Sequence, residues 1–343
     1  MITDFAKFLA RLLAREPVGV ADVRSAFGEI LAGKWTPVQV GAFAVALRMR
    51  GESAEEIVGA ALAMRAAMLT VDHQMPVVVD TCGTGGDGAH SLNLSSAAAL
   101  VIAATGLIVA KHGNRSASSR CGSADVFENL GIPLDLAPAR QADVLREAGI
   151  TFLFAPSHHP ALKHAAQARS ELGARTIFNA LGPLANPARA THQLVGVYDE
   201  SLRTVSAQAL RQLGGRRAWV VRSEDGLDEI SPSAPTRVSE LTEDGEIRER
   251  LVTPEDFGLP RQPLSTIAGG DVTTNARALS AIIDGQDHPA RVAVLLNAAA
   301  ALAVATGDDL RACADRARSA IDSGAARAKF ETWKRVAARV RVA

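Results

Sequence analysis

Residues 80–96 read "DTCGTGGDGAHSLNLSS", with four glycines, Gly83, Gly85, Gly86 and Gly88, inside six positions. The run "PVVVDTC" at 76–82 leads in, and "SSAAALVIAATG" at 95–106 leads out. A short β-branched run reads as a buried strand and the longer Ala-rich run as a helix. Strand, glycine loop and helix make the opening unit of an α/β sheet. Glycines in such a loop let a ligand come close to the backbone. A tight turn alone does not need four of them, because each adds to the entropy lost on folding.

Gly83, Gly85 and Gly88 satisfy the G-x-G-x-x-G spacing of dinucleotide sites. That fingerprint also needs an acid about 20 residues on, to hold ribose hydroxyls. Here that region is "LIVAKHGNR", with Lys111 and Arg115, and cations suit phosphate instead. The P-loop fails as well, since Ala89-His90 stand where Lys-Ser/Thr is required.

A second loop follows one helix later, "KHGNRSASSRCGS" at 111–123. It offers Lys111, Arg115 and Arg120 as cations, with Ser116, Ser118 and Ser119 as hydroxyls. Amides and hydroxyls wrap anionic oxygens while a cation neutralises them. Two such loops at the C-terminal edge of a parallel sheet favour a ligand with two separated phosphate groups. A third element, "EDGLDEISPSAPT" at 224–236, places Asp228 beside Glu229 after the strand-like "RAWVVR". Alone it reads as a solvated acidic turn. Beside phosphate loops it suits Mg²⁺, a hard cation that keeps waters and takes substrate phosphates as ligands.

From residue 77 strands and helices alternate: "LIVAK", "ITFLFA", "HQLVGVY" and "RAWVVR" as strands, with "SADVFENLG", "PARQADVLREAG" and "LRTVSAQALRQLG" as helices between them. The expected fold class is therefore α/β with a largely parallel central sheet. The first ~70 residues are helical in pattern. Phe5, Phe8, Leu9, Leu12 and Leu13 share one face. Thr36-Pro37 starts a helix that Gly51 ends, and Ser53 with Glu56 has capping-box spacing. We expect a helical domain at 1–72, joined by part of 164–187 as hinge or helix, and an α/β domain at 73–343. Surplus apolar residues on the N-terminal helices supply a dimer face.

The 343 residues carry 37 Lys+Arg and 37 Asp+Glu, so no basic excess points to nucleic acid. Aromatic residues are 4%, too few for base-stacking platforms. Cys82, Cys121 and Cys313 are far apart and odd in number, which fits free thiols rather than a disulfide framework. The charged N-terminus is unlike a signal peptide, and the apolar run at 97–110 is too short to span a bilayer. The expected setting is the cytoplasm, with no nucleic-acid or membrane partner.

"GTGGDG", "NLSS", "KHGNR", "RSELGARTIFNALGPLANP", "DGLDE" and "GGDVTTNA" occur in this order over nearly the whole chain. Together they resemble the anthranilate phosphoribosyltransferases of tryptophan biosynthesis. The resemblance implies a small helical domain plus a larger α/β domain of the nucleoside phosphorylase/phosphoribosyltransferase type, and a homodimer through the helical domains. The implied substrates are anthranilate and 5-phosphoribosyl 1-pyrophosphate, with Mg²⁺, two per subunit. By position, Gly83, Gly86, Asp87, Ser91, Asn93, Leu94, Ser95 and Ser96 would hold the phosphoribosyl pyrophosphate. Lys111, His112, Gly113, Asn114, Arg115, Ser116, Ala117, Ser118, Ser119 and Ser123 would form its second loop. Ser95, Asp228 and Glu229 would bind metal. Gly83, Asn114, Arg169, His112 and Pro183 would line the anthranilate site. No general base is assigned, since an aromatic amine is already nucleophilic. Arg222-Ser223 depart from the family's usual His-Gly, and Ser96 stands where Thr is usual. The alternatives are a pyrimidine-nucleoside phosphorylase of the same fold, a nicotinamide dehydrogenase and a non-catalytic phosphate sensor. His112, His158 and His159 lack a third ligand at sensible spacing for a metal site.

Overall fold

The computed structural model describes residues 4–116 and 120–342. Its centre is the helix that leaves the glycine loop, α5 (Leu94–Ala104). Every residue from Ser96 to Ala103 is buried. A helix apolar on all sides has to be enclosed by other elements. Around α5 pack α13 (Arg291–Thr306), α14 (Leu310–Asp322) and α15 (Ala325–Val342). The Ala-rich faces of α5 and α13 allow this close approach.

Seven strands form one sheet: β1 (Val79–Asp80), β2 (Val109–Gly113), β3 (Ile150–Phe154), β4 (His192–Gly196), β5 (Arg217–Ser223), β6 (Thr236–Leu241) and β7 (Ile247–Val252). Their order is β3-β2-β1-β4-β5-β6-β7. The first five run parallel, and β6 and β7 are antiparallel additions at one edge. The expected α/β class with a largely parallel sheet is what the chain forms. Alternate residues of a strand face opposite sides. Thus Leu194, Trp219 and Val221 join the core around α5 and α13. Val195, Val197, Ala218 and Val220 join a second core on the other face.

That second core holds α1 (Phe5–Leu13), α2 (Val20–Leu31), α3 (Pro37–Arg50), α4 (Ala54–Ala67) and α11 (Ser201–Gln212). Thr36 caps α3 and Ser53 caps α4, each in a reciprocal capping box. A Cβ at Gly59 of α4 would lie 2.6 Å from the Val20 carbonyl, so glycine sets the spacing of α2 and α4. The later helix α9 (Lys163–Leu172) packs on α2 and α3. The helical bundle thus shares its apolar core with α11 and the sheet.

Sheet order reverses between β1 and β4. Open α/β sheets bind ligands in the crevice at such a reversal, outside the C-terminal strand ends. Among the described residues no single helix is long and apolar enough to cross a membrane. Cys82, Cys121 and Cys313 are buried, and none of them forms a disulfide among the described residues.

Candidate active site

The glycine loop leaves β1 at this crevice. Gly85, Gly86 and Gly88 have φ of +64°, +80° and +80°, in the left-handed region that favours glycine. The loop is fastened to the end of β4. Thr84 N–H donates to the Gly196 carbonyl (2.8 Å), and Tyr198 N–H donates to Thr84 Oγ1 (3.0 Å). Beyond the loop, Leu92 N–H donates to the Ile267 carbonyl (2.8 Å), and Ser91 pairs with Ala268. Asn275 Nδ2 donates to Asn93 Oδ1 (2.9 Å), while Asn275 Oδ1 accepts from Gly270 N–H (2.8 Å). The "GGDVTTNA" segment therefore braces the entry to α5.

Lys111, midway along β2, is 2% exposed and points at this entry. Its Nζ donates to the Thr81 carbonyl and Oγ1 (both 3.3 Å) and to Ser95 Oγ (3.2 Å). Asp80, wholly buried, accepts from His112 N–H (3.1 Å) and from Asn186 Nδ2 (2.7 Å). Burial pushes its carboxyl up to about 6, against the pull of Lys111. Asn186 also donates to the Ala110 carbonyl (2.8 Å), so one amide from "GPLANP" ties β1 to β2 beside the site. Sequence reading gave Asp80 and Asn186 no role. The Pro-flanked Asn was the available signal.

In the second loop, Ser123 Oγ donates to the Asn114 carbonyl (3.4 Å). A Cβ at Gly113 would lie 2.4 Å from Ser123 Oγ, so the loop closes only on glycine. The Arg115 guanidinium is committed to Asp125 (2.7 Å) and Glu128 (2.8 Å), which leaves its side chain poorly placed as a free phosphate cation. Ser116 N–H faces Asp125 Oδ2 at 3.5 Å. Ala117, Ser118 and Ser119 lie outside the described residues.

The acidic turn meets the glycine loop across the crevice. A Cβ at Gly196 would fall 1.5 Å from the Asp228 carbonyl oxygen, and one at Gly83 would fall 3.3 Å from Asp228 Oδ2. Gly196, unremarked in the sequence, is thus what admits the turn. Arg222 Nη1 donates to the Tyr198 carbonyl (2.7 Å) and the Gly226 carbonyl (3.1 Å). The departure from the family's His-Gly therefore places a guanidinium that staples the turn to β4. Asp228 N–H approaches Asp87 Oδ2 at 3.4 Å, and Ser95 N–H donates to Glu229 Oε1 (3.2 Å). Burial raises the Asp228 carboxyl, and repulsion from Asp87 raises it further. Burial and the Asp228 charge raise Glu229, with Lys111 pulling the other way. Like charges this close, and half-open to the crevice, favour protons or an added cation. No three His, Cys, Asp or Glu side chains among the described residues converge enough to cage a metal alone. Hard oxygens that form part of a coordination shell fit Mg²⁺, which waters and phosphate complete.

On the acceptor side, Arg169 stacks over Phe178 at 5.6 Å and makes no hydrogen bond or ion pair among the described residues. His112 Nδ1–H donates to the Gly182 carbonyl (2.9 Å), while its Nε2 has no partner. Burial lowers His112 to about 3 and His159 to about 4, so both rings are neutral near pH 7. Pro183 is buried, and its carbonyl accepts from Gln193 Nε2 (2.7 Å). Asn114 is exposed.

These elements define a two-domain glycosyl transferase. The helical bundle domain of the glycosyl transferase family matches residues 6–68, and the a/b domain of that family matches residues 75–327. An anthranilate phosphoribosyltransferase of Myxococcus xanthus is 51% identical over 323 residues, covering 94% of this chain and 96% of that protein. The crystal structure of the Thermus thermophilus enzyme of the same name superposes with a TM-score of 0.91 at 38% identity, covering 96% of this chain and 99% of that one. The Saccharomyces cerevisiae enzyme in complex with PRPP and Mg gives a TM-score of 0.91 at 28% identity, with 98% of each chain covered. The chain belongs to the anthranilate phosphoribosyltransferase family.

Proposed function

We infer that this chain transfers the phosphoribosyl group of 5-phosphoribosyl 1-pyrophosphate to the amine of anthranilate. The products are N-(5-phosphoribosyl)anthranilate and pyrophosphate, in tryptophan biosynthesis. One observation carries the reading: the carboxylates of Asp228 and Glu229 meet Asp87 of the glycine loop and a buried lysine at the sheet's reversal point.

The C1–O bond to pyrophosphate breaks as the amine nitrogen bonds C1, and the amine proton leaves to solvent. Positive charge grows at the sugar and negative charge on the leaving group, as in glycoside chemistry. Binding of the phosphoribosyl pyrophosphate falls to Gly83, Gly86, Asp87, Ser91 and the entry of α5 from Asn93 to Ser96. Lys111 through Asn114, the Ser116 hydroxyl and Ser123 complete its second loop. Lys111 Nζ, held at Ser95 Oγ, neutralises charge at the α5 N-terminus, where backbone N–H groups already favour anions. Ser95, Asp228 and Glu229 would hold Mg²⁺, two per subunit, which supplies Lewis-acid stabilisation of the diphosphate when bound. Arg169 is the guanidinium for the anthranilate carboxylate, with His112, Asn114 and Pro183 beside it. The neutral His112 ring leaves a lone pair at Nε2 in this region and adds no cationic charge there.

Residues 1–72, joined by part of 164–187 as hinge or helix, would form the helical domain, and residues 73–343 the α/β domain. Val38 and Met49 on α3, 80% and 81% exposed, support a homodimer through the helical bundle. Buried cysteines without a disulfide among the described residues suit the cytoplasm.

Loss of anthranilate fluorescence on adding phosphoribosyl pyrophosphate and Mg²⁺, with each omitted in turn, tests the reading. Consumption should require all three. Phosphorolysis of thymidine without phosphoribosyl pyrophosphate would reassign the chain to the nucleoside phosphorylases.

A further inference from the structure

Tyr198 follows β4 and lies between two guanidiniums. Arg48 sits 5.7 Å from its ring centroid and Arg175 sits 4.7 Å from it. Arg48 is fully occupied, paired to Asp199 at 2.6 Å and to Glu52 at 3.8 Å. Arg175 makes no hydrogen bond or ion pair among the described residues. Its head instead covers the glycine loop. A Cβ added at Gly86 would lie 2.8 Å from Arg175 Nε, 2.9 Å from Cζ and 3.0 Å from Nη2. A side chain there would occupy the place of the guanidinium, so the bare glycine and the arginine fit each other.

The position is held from both sides. Tyr198 is 6% exposed and bonded through its N–H to Thr84 of the same loop. Arg175 enters from the α9 side, six residues after Arg169 and just before the short helix α10 (Ile177–Ala180). The two arginines then divide by what they cover. Arg169 lies on Phe178, whereas Arg175 lies on the loop that carries Asp87 into the acid cluster. A stacked guanidinium with its N–H fork unspent is suited to two oxygens of one phosphate.

We propose that Arg175 binds the diphosphate of the phosphoribosyl donor, on the leaving-group side of the glycine loop, and stabilises it as it departs. This rests on the transferase reading above. A metal held at the acidic turn would supply one positive charge, and Arg175, stacked on Tyr198, would add a protein cation over Gly86.

The test uses the full-length enzyme and the variants Arg175→Met and Arg175→Lys. Methionine keeps an apolar stem on Tyr198, and lysine restores charge without the planar fork. Calorimetry with Mg²⁺ would measure binding of phosphoribosyl pyrophosphate and, as the probe for the leaving group, inorganic pyrophosphate. Arg175→Met should weaken both by about tenfold or more, the usual scale for a charged hydrogen bond. It should lower kcat, leave the anthranilate KM unchanged and keep the wild-type melting temperature. Arg175→Lys should recover part of the affinity. Unchanged diphosphate binding in Arg175→Met would overturn the assignment, as would a loss confined to the anthranilate KM. A loss that follows a fallen melting temperature in both variants would make Arg175 structural and overturn it as well. A wild-type enzyme that binds neither diphosphate would overturn the transferase reading and this one with it.

Discussion

Two clusters of ionisable side chains meet at the end of β4, and they are balanced in opposite ways. Asp199 follows the strand and carries its own counter-ion. Its bond to Arg48 holds its carboxyl down, to about 2. Asp228 packs against Gly196 at the same strand end, with Asp87 and Glu229 for neighbours, and its carboxyl is pushed up. Both are aspartates, but at Asp199 the Arg48 guanidinium outweighs slight burial, whereas at Asp228 burial is the largest cause and the neighbouring Asp87 adds to it. The first cluster is complete within the chain and joins the helical bundle to the sheet. The second is short of positive charge, which Lys111 only partly supplies. Such an imbalance is costly unless a ligand relieves it, and it marks where the ligand belongs.

The contrast is broken most severely by removing the acids. Asp228→Asn with Glu229→Gln should keep the fold and lower turnover by roughly 10²-fold or more, the scale for losing leaving-group stabilisation. Steady-state assays across Mg²⁺ concentration check this. Turnover like the wild type would remove the acidic pair from the chemistry.

Arg169 tests a cation on the acceptor side that has no ion pair among the described residues. Arg169→Ala should raise the anthranilate KM by roughly 10- to 150-fold, equivalent to about 1.5–3 kcal/mol for a charged hydrogen bond. The dissociation constant of phosphoribosyl pyrophosphate should hardly move. The reverse pattern would exchange the roles of the two walls.

The two clusters should also oppose each other in the dependence of stability on pH. Asp228 and Glu229 are raised in the folded state, so their contribution is present below the ordinary carboxylate range and is lost as pH rises through the raised values. Metal-free protein should therefore lose this contribution towards alkaline pH, and Mg²⁺ should restore it. Asp199 is lowered, so its contribution is present above the ordinary range and fades as pH falls towards about 2. Thermal melts from pH 2 to 9, with and without Mg²⁺, separate the two.

The smallest effect is expected at the complete cluster. Asp199→Asn should lower stability by about 1 kcal/mol or less, because the pair is about one-third exposed and screened by solvent. Chemical denaturation measures it, and anthranilate turnover should stay close to wild type.

The same contrast explains what the sequence disclosed. The glycine loop, "KHGNR" and "DGLDE" are local, since each puts its chemistry within a few residues and follows a strand made of consecutive apolar residues. The five parallel strands and the capped helices α3 and α4 were legible for the same reason. The hairpin β6–β7 was not. Its outer strand "IRERLV" is mostly exposed and alternates charges, so it lacks the apolar run that reveals a buried strand. Gly196 and Asn186 were silent because their reasons are tertiary, a carbonyl 1.5 Å from an added Cβ and a buried carboxylate from another strand, and Arg222, visible only as a departure, owes its role to a turn four residues on. Arg115 looked like a phosphate cation by composition, and only the folded chain reveals Asp125 and Glu128 beside it.

The acid cluster can be titrated directly. Carboxyls with raised proton affinity must release protons when a divalent cation takes their oxygens. Calorimetric titration of the wild-type chain with Mg²⁺ near pH 7, in two buffers of different ionisation enthalpy, counts those protons. Net proton release is expected, and it should vanish in the Asp228→Asn, Glu229→Gln variant. Mg²⁺ binding with no proton release, unchanged in that variant, would contradict the reading of these acids as the incomplete half of the site.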